Sequence, residues 1–163
     1  MTRARRTIQR PHRPRGVAAV ELGILMVPLL LLLFGVTEFG RAIYTYNALA
    51  KSARDAARYL TSRTPGDAAE HAAAKCLAVT GDETNSLGVC TAPPLAPGLS
   101  TGIVETCDVT LTCTGVTSSV TTGSGTINMV TVRISGYAFN PVIEYTMQAM
   151  NFGPIIVTMR SQL

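Results

Sequence analysis

Arg15-Gly16-Val17-Ala18-Ala19-Val20-Glu21 opens an apolar run that continues through Leu22-Gly23-Ile24-Leu25-Met26-Val27-Pro28 and Leu29-Leu30-Leu31-Leu32-Leu33-Phe34-Gly35-Val36. Ahead of it, Met1 to Arg15 holds six arginines and no acid, and Leu22 to Val36 holds no charge at all. One carboxylate, Glu21, therefore stands alone at the edge of the run. A charge inside lipid costs a few kcal/mol, about 2.5–3.5 at the centre of a span and less toward the interface, so an intramembrane acid is read first as functional.

From Val17 to Thr37 there are 21 residues, which at the helical rise span about 31 Å, close to the hydrocarbon thickness of a bilayer. The segment is long enough to cross a membrane. The arginine arm lies before it and only Glu38 and Arg41 follow closely, so the positive-inside rule places the amino terminus in the cytoplasm. A cleaved secretory signal fits less well: 11 residues, two of them charged, separate Val36 from the Ala48-Leu49-Ala50 triplet.

Working outward, 163 residues suit roughly one domain, and 47% hydrophobic residues against 15% charged ones lean toward a membrane-associated class. The net charge of +4 is local. Removing the six arginines of the arm from the 14 basic residues leaves eight against ten acids, about −2 for residues 17 to 163. A nucleic-acid partner loses its electrostatic footprint.

Past the apolar run, Phe39, Ile43, Tyr46, Ala50, Ala53, Ala57 and Leu60 recur at spacings of four and three, which predicts one helix from Val17 to about Thr61 with those residues on its inner face. Pro28 removes a backbone hydrogen bond mid-span and marks a kink. Thr64-Pro65-Gly66 ends the helix, and Asp67 with Glu70 three residues later starts a second one reaching about Thr80, before Gly81. Residues 81 to 102, rich in Gly, Pro, Thr and Ala, predict a long loop.

The remainder alternates with period two. Cys107, Val109, Leu111 and Cys113 predict one strand, Val130, Val132 and Ile134 a second, and Ile155, Val157 and Met159 a third. Thr114 to Thr126 reads as a low-complexity hairpin tip, for which an exposed adhesive surface is the functional alternative to a solvated loop. Asn140-Pro141 closes the second strand, and Ile143, Met147 and Met150 suggest a short amphipathic turn. The expected class is α+β: a long transmembrane helix continuing outside the membrane, a short second helix and a small antiparallel sheet. The expected division is a basic cytoplasmic leader over 1–16, the span over 17–37, its extracytoplasmic continuation over 38–62 and an extracytoplasmic domain over 63–163.

Cys76, Cys90, Cys107 and Cys113 all fall beyond the span, where an oxidising compartment permits disulfides. A straight strand over 107–113 would separate its two cysteines by about 20 Å and force each to pair with Cys76 or Cys90; a turn inside it would favour Cys107 with Cys113 and Cys76 with Cys90. The cysteines lack metal-ligand spacing, so no metal and no cofactor is expected. His12 lies in the arm and His71 between alanines, leaving no external histidine triad without His71. Neither Gly123-Ser124-Gly125 nor any other glycine cluster precedes a helix as a phosphate loop does. Neither an enzyme nor a small-molecule substrate is expected.

Gly16-Val17-Ala18-Ala19-Val20-Glu21 resembles the processing site of type IV prepilins, in which an inner-membrane aspartic peptidase cuts after the glycine and the glutamate becomes residue five of the mature chain. The likeness extends through Pro28 to Gly35, Glu38-Phe39-Gly40-Arg41, Tyr44, Asn47, Ala48 and Ala53-Arg54-Asp55-Ala56-Ala57-Arg58. Over about residues 14 to 60 the chain resembles the TadE-like family, minor pseudopilins of tight-adherence pilus systems. That resemblance implies a pilin-like, single-pass inner-membrane protein working with other pilins, a prepilin peptidase and the inner-membrane assembly platform in building or priming a fibre. Leu22 stands where the major pilin of such systems carries Tyr, which implies a minor subunit. The competing expectation is an uncleaved, membrane-anchored accessory module that never enters a fibre.

Overall fold

A computed structural model describes residues 15–83, 85–86, 89–143, 145 and 147–162 of the chain. The arginine arm up to Pro14, and with it most of the expected leader, lies outside the described residues. Helix α1 (Arg15–Leu60) runs through Pro28 without interruption, and α2 (Ala68–Thr80) follows after a short turn. The strands are β1 (Asn85–Ser86), β2 (Val89–Cys90), β3 (Val104–Cys107), β4 (Ser119–Thr122), β5 (Gly125–Ile134), β6 (Ala138–Phe139), β7 (Met150–Asn151) and β8 (Ile155–Arg160), all paired antiparallel. The α+β class, with one long apolar helix, one short helix and a small antiparallel sheet, is the one the sequence predicts.

Both ends of α2 follow from its sequence. Asp67 accepts a hydrogen bond from the Ala69 N–H at 2.8 Å, and Gly81 takes a left-handed φ of 78° while its N–H returns to the Leu77 carbonyl. Glu70 turns instead toward α1, where it accepts from the Tyr59 hydroxyl and pairs with Arg63. Burial and that carboxylate together push the Tyr59 phenol up to about 12, so the donor keeps its proton.

β5 organises the sheet. Its second half pairs with β3 on one edge and β8 on the other, from Val104↔Ile134 and Ile155↔Ile134 onward, while its first half pairs with β4. Directly paired residues share a face, so Val104, Thr106, Val130, Val132, Ile134 and Ile155 face α1 and α2 and are buried. On the opposite face Arg133 pairs with Glu105 across the strands, and the Thr131 and Thr158 hydroxyls meet at 2.9 Å.

Against this sheet α1 is rotated from the predicted orientation. Its buried line is Glu38, Ala42, Thr45, Leu49, Ser52, Ala53, Ala56, Ala57 and Leu60, whereas Phe39 (58% exposed), Ile43 and Tyr46 stay largely outside. The two lines converge only from Ala53 onward. Small residues win the inner face because they let sheet and helix approach closely, and the two polar ones are self-satisfied: Thr45 donates to the Arg41 carbonyl and Ser52 to that of Leu49.

Four further expectations change. The strand predicted over 107–113 ends at Cys107, because Asp108 accepts from the Thr110 and Leu111 N–H groups and its own N–H bonds the Leu111 carbonyl, folding the chain into a turn. Val109 and Leu111 are consequently exposed, and the disulfides are Cys107–Cys113 and Cys76–Cys90, with Cα separations of 5.7 and 5.3 Å. Within the predicted 81–102 loop, β1 and β2 form a small hairpin. The turn expected around Ile143 and Met147 is the end of a β6–β7 hairpin, with Phe139 opposite Met150; β5 has already ended at Ile134, before the left-handed Gly136.

Candidate assembly and anchoring site

From Gly16 to Thr37, every residue of α1 is exposed except the half-buried Gly35. The stretch has the length and composition to cross a membrane, and no residue of its most apolar 18-residue window is buried in the chain's own fold. An apolar helix left wholly uncovered in water would be strongly unfavourable, since each exposed Leu or Ile forgoes roughly 1.5–3 kcal/mol of burial. The helix fits a single-pass anchor.

Gly16 and Val17 lie at the start of the described part of α1. A Cβ built on Gly16 would meet nothing within 4 Å, so the fold itself makes no demand for glycine there. Glu21 follows Val17 by four residues and is exposed on the same helical face. At Pro28 the missing N–H leaves the Ile24 carbonyl without its usual helical partner.

Where the apolar run ends, Glu38, Phe39, Gly40 and Arg41 separate into two groups. Glu38 is 5% exposed and binds Arg41, one turn on, at 2.8 Å. Its other oxygen accepts from the Val142 N–H at 3.2 Å. Arg41 also donates to the Asn140 carbonyl at 2.7 Å and stacks its guanidinium 4.4 Å from the centre of the Phe139 ring. Glu38 and Arg41 thus clamp the β6–β7 hairpin to α1. Phe39, by contrast, points outward, and a Cβ on Gly40 would meet nothing within 4 Å. Farther along, Tyr44, Asn47 and Ala48 line a cavity of about 510 Å³ with Lys51, Asp55 and Leu95.

At the other end of α1 lies a cluster that sequence reasoning missed. His71 Nε2 is 2.9 Å from Asp108 Oδ2, and its Nδ1 is 2.9 Å from Thr106 Oγ1. A carboxylate only accepts, so Nε2 carries the proton and, on the neutral ring, Nδ1 accepts from the Thr106 hydroxyl. Burial alone would raise the Asp108 carboxyl, but the bonds from Leu111, Gly66, His71 and Thr110 outweigh it and hold the group below its ordinary range. All three side chains are buried. The set resembles a hydrolase triad in composition, yet its hydroxyl meets no solvent, and its geometry braces α2, β3, the Gly66 turn and the Asp108 turn. The spacing of His71 with Ala74 and Ala78 on the inner face of α2 was the available signal.

All four cysteines are committed to disulfides, which removes them as thiolate ligands, and no cluster of three or more His, Cys, Asp or Glu suited to a metal occurs among the described residues.

No curated protein and no solved structure matches the chain. Residues 16–58, from the glycine of the processing-like motif to two residues short of the end of α1, match the family model for TadE-like protein.

Proposed function

We propose that this chain is a minor pseudopilin that takes part in assembling or priming a tight-adherence pilus. The single observation that carries the reading is the coincidence of the TadE-like match over residues 16–58 with an apolar helix that the chain's own fold leaves bare. Such a helix needs lipid or other helices around it. The domain beyond residue 38 is carried on the continuation of the same helix, at the inner membrane with the arginine arm in the cytoplasm.

In this reading a prepilin peptidase cuts between Gly16 and Val17. Hydrolysis leaves the Gly16 carboxylate on the leader and a free α-amine on Val17. A neighbouring subunit's Glu21 then pairs with that amine, relieving a carboxylate that is costly in lipid. Pairing of this kind favours an ordered stack of helices over free diffusion. The partners are membrane lipid, other pilins and pseudopilins, the peptidase and the inner-membrane assembly platform.

The test is the amino-terminal residue of the membrane-extracted protein, read by mass spectrometry in cells with and without the prepilin peptidase. The expected result is a start at Val17 that depends on the peptidase. A start at Met1 or Thr2 in both strains would leave an anchored accessory module and remove the amine on which the mechanism depends.

A further inference from the structure

Between Leu22 and Ala50 helix α1 carries only two charged residues, Glu38 and Arg41. Both turn toward the domain, where Arg41 binds the Asn140 carbonyl, and they are joined to each other at 2.8 Å. The outward face of the helix is therefore free of charge for 29 residues, about 43 Å at the helical rise. Hydrocarbon accounts for about 30 Å of that length, and a bilayer with both headgroup layers for about 40–45 Å. Charge returns to the exposed face at Lys51, followed by Arg54, Asp55 and Arg58.

Leu29, Leu32, Val36, Phe39 and Ile43 follow one another at spacings of three and four, so one apolar stripe crosses the end of the expected span without a break. All five are exposed, and Tyr44 beside them is 76% exposed. α1 is a single helix from Arg15 to Leu60, so the rise fixes the height of each residue. Phe39 stands about 3 Å and Tyr44 about 10 Å past Thr37 along the axis. Long side chains on a helix lean back toward its amino terminus, which carries the Tyr44 ring toward the bilayer.

We infer that the lipid contact of α1 does not stop at Thr37: Phe39, Ile43 and Tyr44 form an outer interfacial anchor in the headgroup layer, which seats the extracytoplasmic domain against the bilayer. The occupant is lipid because polarity is graded along the stripe. Phenylalanine and isoleucine come first, and the tyrosine, whose ring buries an apolar body and keeps its hydroxyl wet, comes last. A neighbouring helix would demand no such order. The inner face of the same two turns, Glu38, Ala42 and Thr45, is buried against the domain, so the domain's base is held at the lipid surface. This inference rests on the reading of α1 as a membrane span.

The chain contains no tryptophan, so a single introduced indole reports its own surroundings. Full-length Leu31→Trp, Phe39→Trp, Tyr44→Trp and Arg58→Trp variants are reconstituted at high lipid excess into phosphatidylethanolamine–phosphatidylglycerol vesicles, with lipid-borne bromine and aqueous iodide as quenchers. Leu31 lies within the span. Arg58 is exposed on the same side of α1 as Tyr44, about 21 Å farther along the axis. The expected result is loss of most emission to brominated lipid for Leu31→Trp, Phe39→Trp and Tyr44→Trp, with Arg58→Trp quenched by iodide alone. Bromine near the headgroups should act on Tyr44→Trp more strongly than bromine at the chain ends. Lipid quenching of Leu31→Trp with iodide-only quenching of Phe39→Trp and Tyr44→Trp would overturn the anchor and leave the span standing. Shielding of Phe39→Trp and Tyr44→Trp from both quenchers would assign the face to a neighbouring helix and also overturn it. Indole itself favours the interface, so lipid quenching of Arg58→Trp as well would mean that the probe sets the depth, which removes the anchor. Iodide-only quenching of Leu31→Trp would overturn the span itself, and the anchor with it.

Discussion

Glu38 and Val142 are 104 positions apart in the chain and joined by one hydrogen bond, from the Val142 N–H to the Glu38 carboxylate at 3.2 Å. The same carboxylate holds Arg41, which holds Asn140. A motif residue that sequence alone marks only as charged next to the span is therefore the anchor point of a distant hairpin. Glu38→Ala leaves the Val142 donor and the Arg41 cation without this partner, at a cost of roughly 1–3 kcal/mol. Amide hydrogen exchange in residues 138–142 should speed up while that of β5 is unchanged; equal protection in variant and parent would show that the clamp does not hold the hairpin.

The rotation of α1 makes opposite predictions for neighbouring residues. Ala42, off the predicted face, is buried against the rest of the domain, so Ala42→Leu overpacks the interface and should destabilise it by about 1–3 kcal/mol. Phe39→Ala and Ile43→Ala, on the face the periodicity assigns to the core, should stay within about 0.5 kcal/mol of the parent. Thermal unfolding in detergent micelles decides it. A large loss for Phe39→Ala with little for Ala42→Leu would restore the predicted orientation.

Asp108 links folding to pH. Its carboxyl is held below the ordinary 3.8, so the unfolded chain binds the proton more readily. The stability it contributes is present above the unfolded value and is lost as pH falls through the folded one. The melting temperature should therefore hold down to about pH 5 and drop below about pH 4 through this group. Asp108→Ala should lower stability at neutral pH, by about 3 kcal/mol given four lost hydrogen bonds and a buried brace, and should flatten that acid limb. An unchanged acid limb in Asp108→Ala would assign it to other carboxylates.

The two disulfides close loops of different length, with sequence separations of 14 for Cys76–Cys90 and 6 for Cys107–Cys113. Loop-closure entropy gives about 3 kcal/mol for the longer and about 2 for the shorter, so the Cys76→Ser/Cys90→Ser pair should cost more than Cys107→Ser/Cys113→Ser. Connectivity is readable without mutation. Cleavage after Glu83 and Glu105 separates Cys76, Cys90 and the Cys107–Cys113 segment into three peptides. Under non-reducing conditions the first two should stay joined and the third run alone; one mass containing all three would reverse the pairing.

Glu21 is exposed, and no hydrogen bond or ion pair joins it to another of the described residues. Glu21→Ala should leave insertion, yield and domain stability unchanged while sharply reducing piliation, counted by electron microscopy of cells. Gly16→Val should likewise fold, since its Cβ meets no neighbour, but should accumulate with the leader attached. Normal piliation in Glu21→Ala would remove the assembly role proposed for the carboxylate.

The local rules of this chain are legible in one dimension. An apolar run of spanning length, a carboxylate beside its start, Asp67 and Gly81 at the ends of α2, and the alternation in β5 and β8 each depend on neighbours within a few positions. They determined the class, both helices, two of the main strands and the bare anchor. Tertiary structure alone decided which face of α1 turns inward before Ala53, because close packing favours the small Ala42, Thr45 and Ser52 over the larger Phe39, Ile43 and Tyr46. It also decided that the chain turns at Asp108 rather than running straight to Cys113, since that turn is held by Gly66 and His71 from elsewhere in the sequence. The clamp of Glu38 and Arg41 on Asn140 and Val142 belongs to the same class: it joins groups about a hundred residues apart, and periodicity carries no information over that distance.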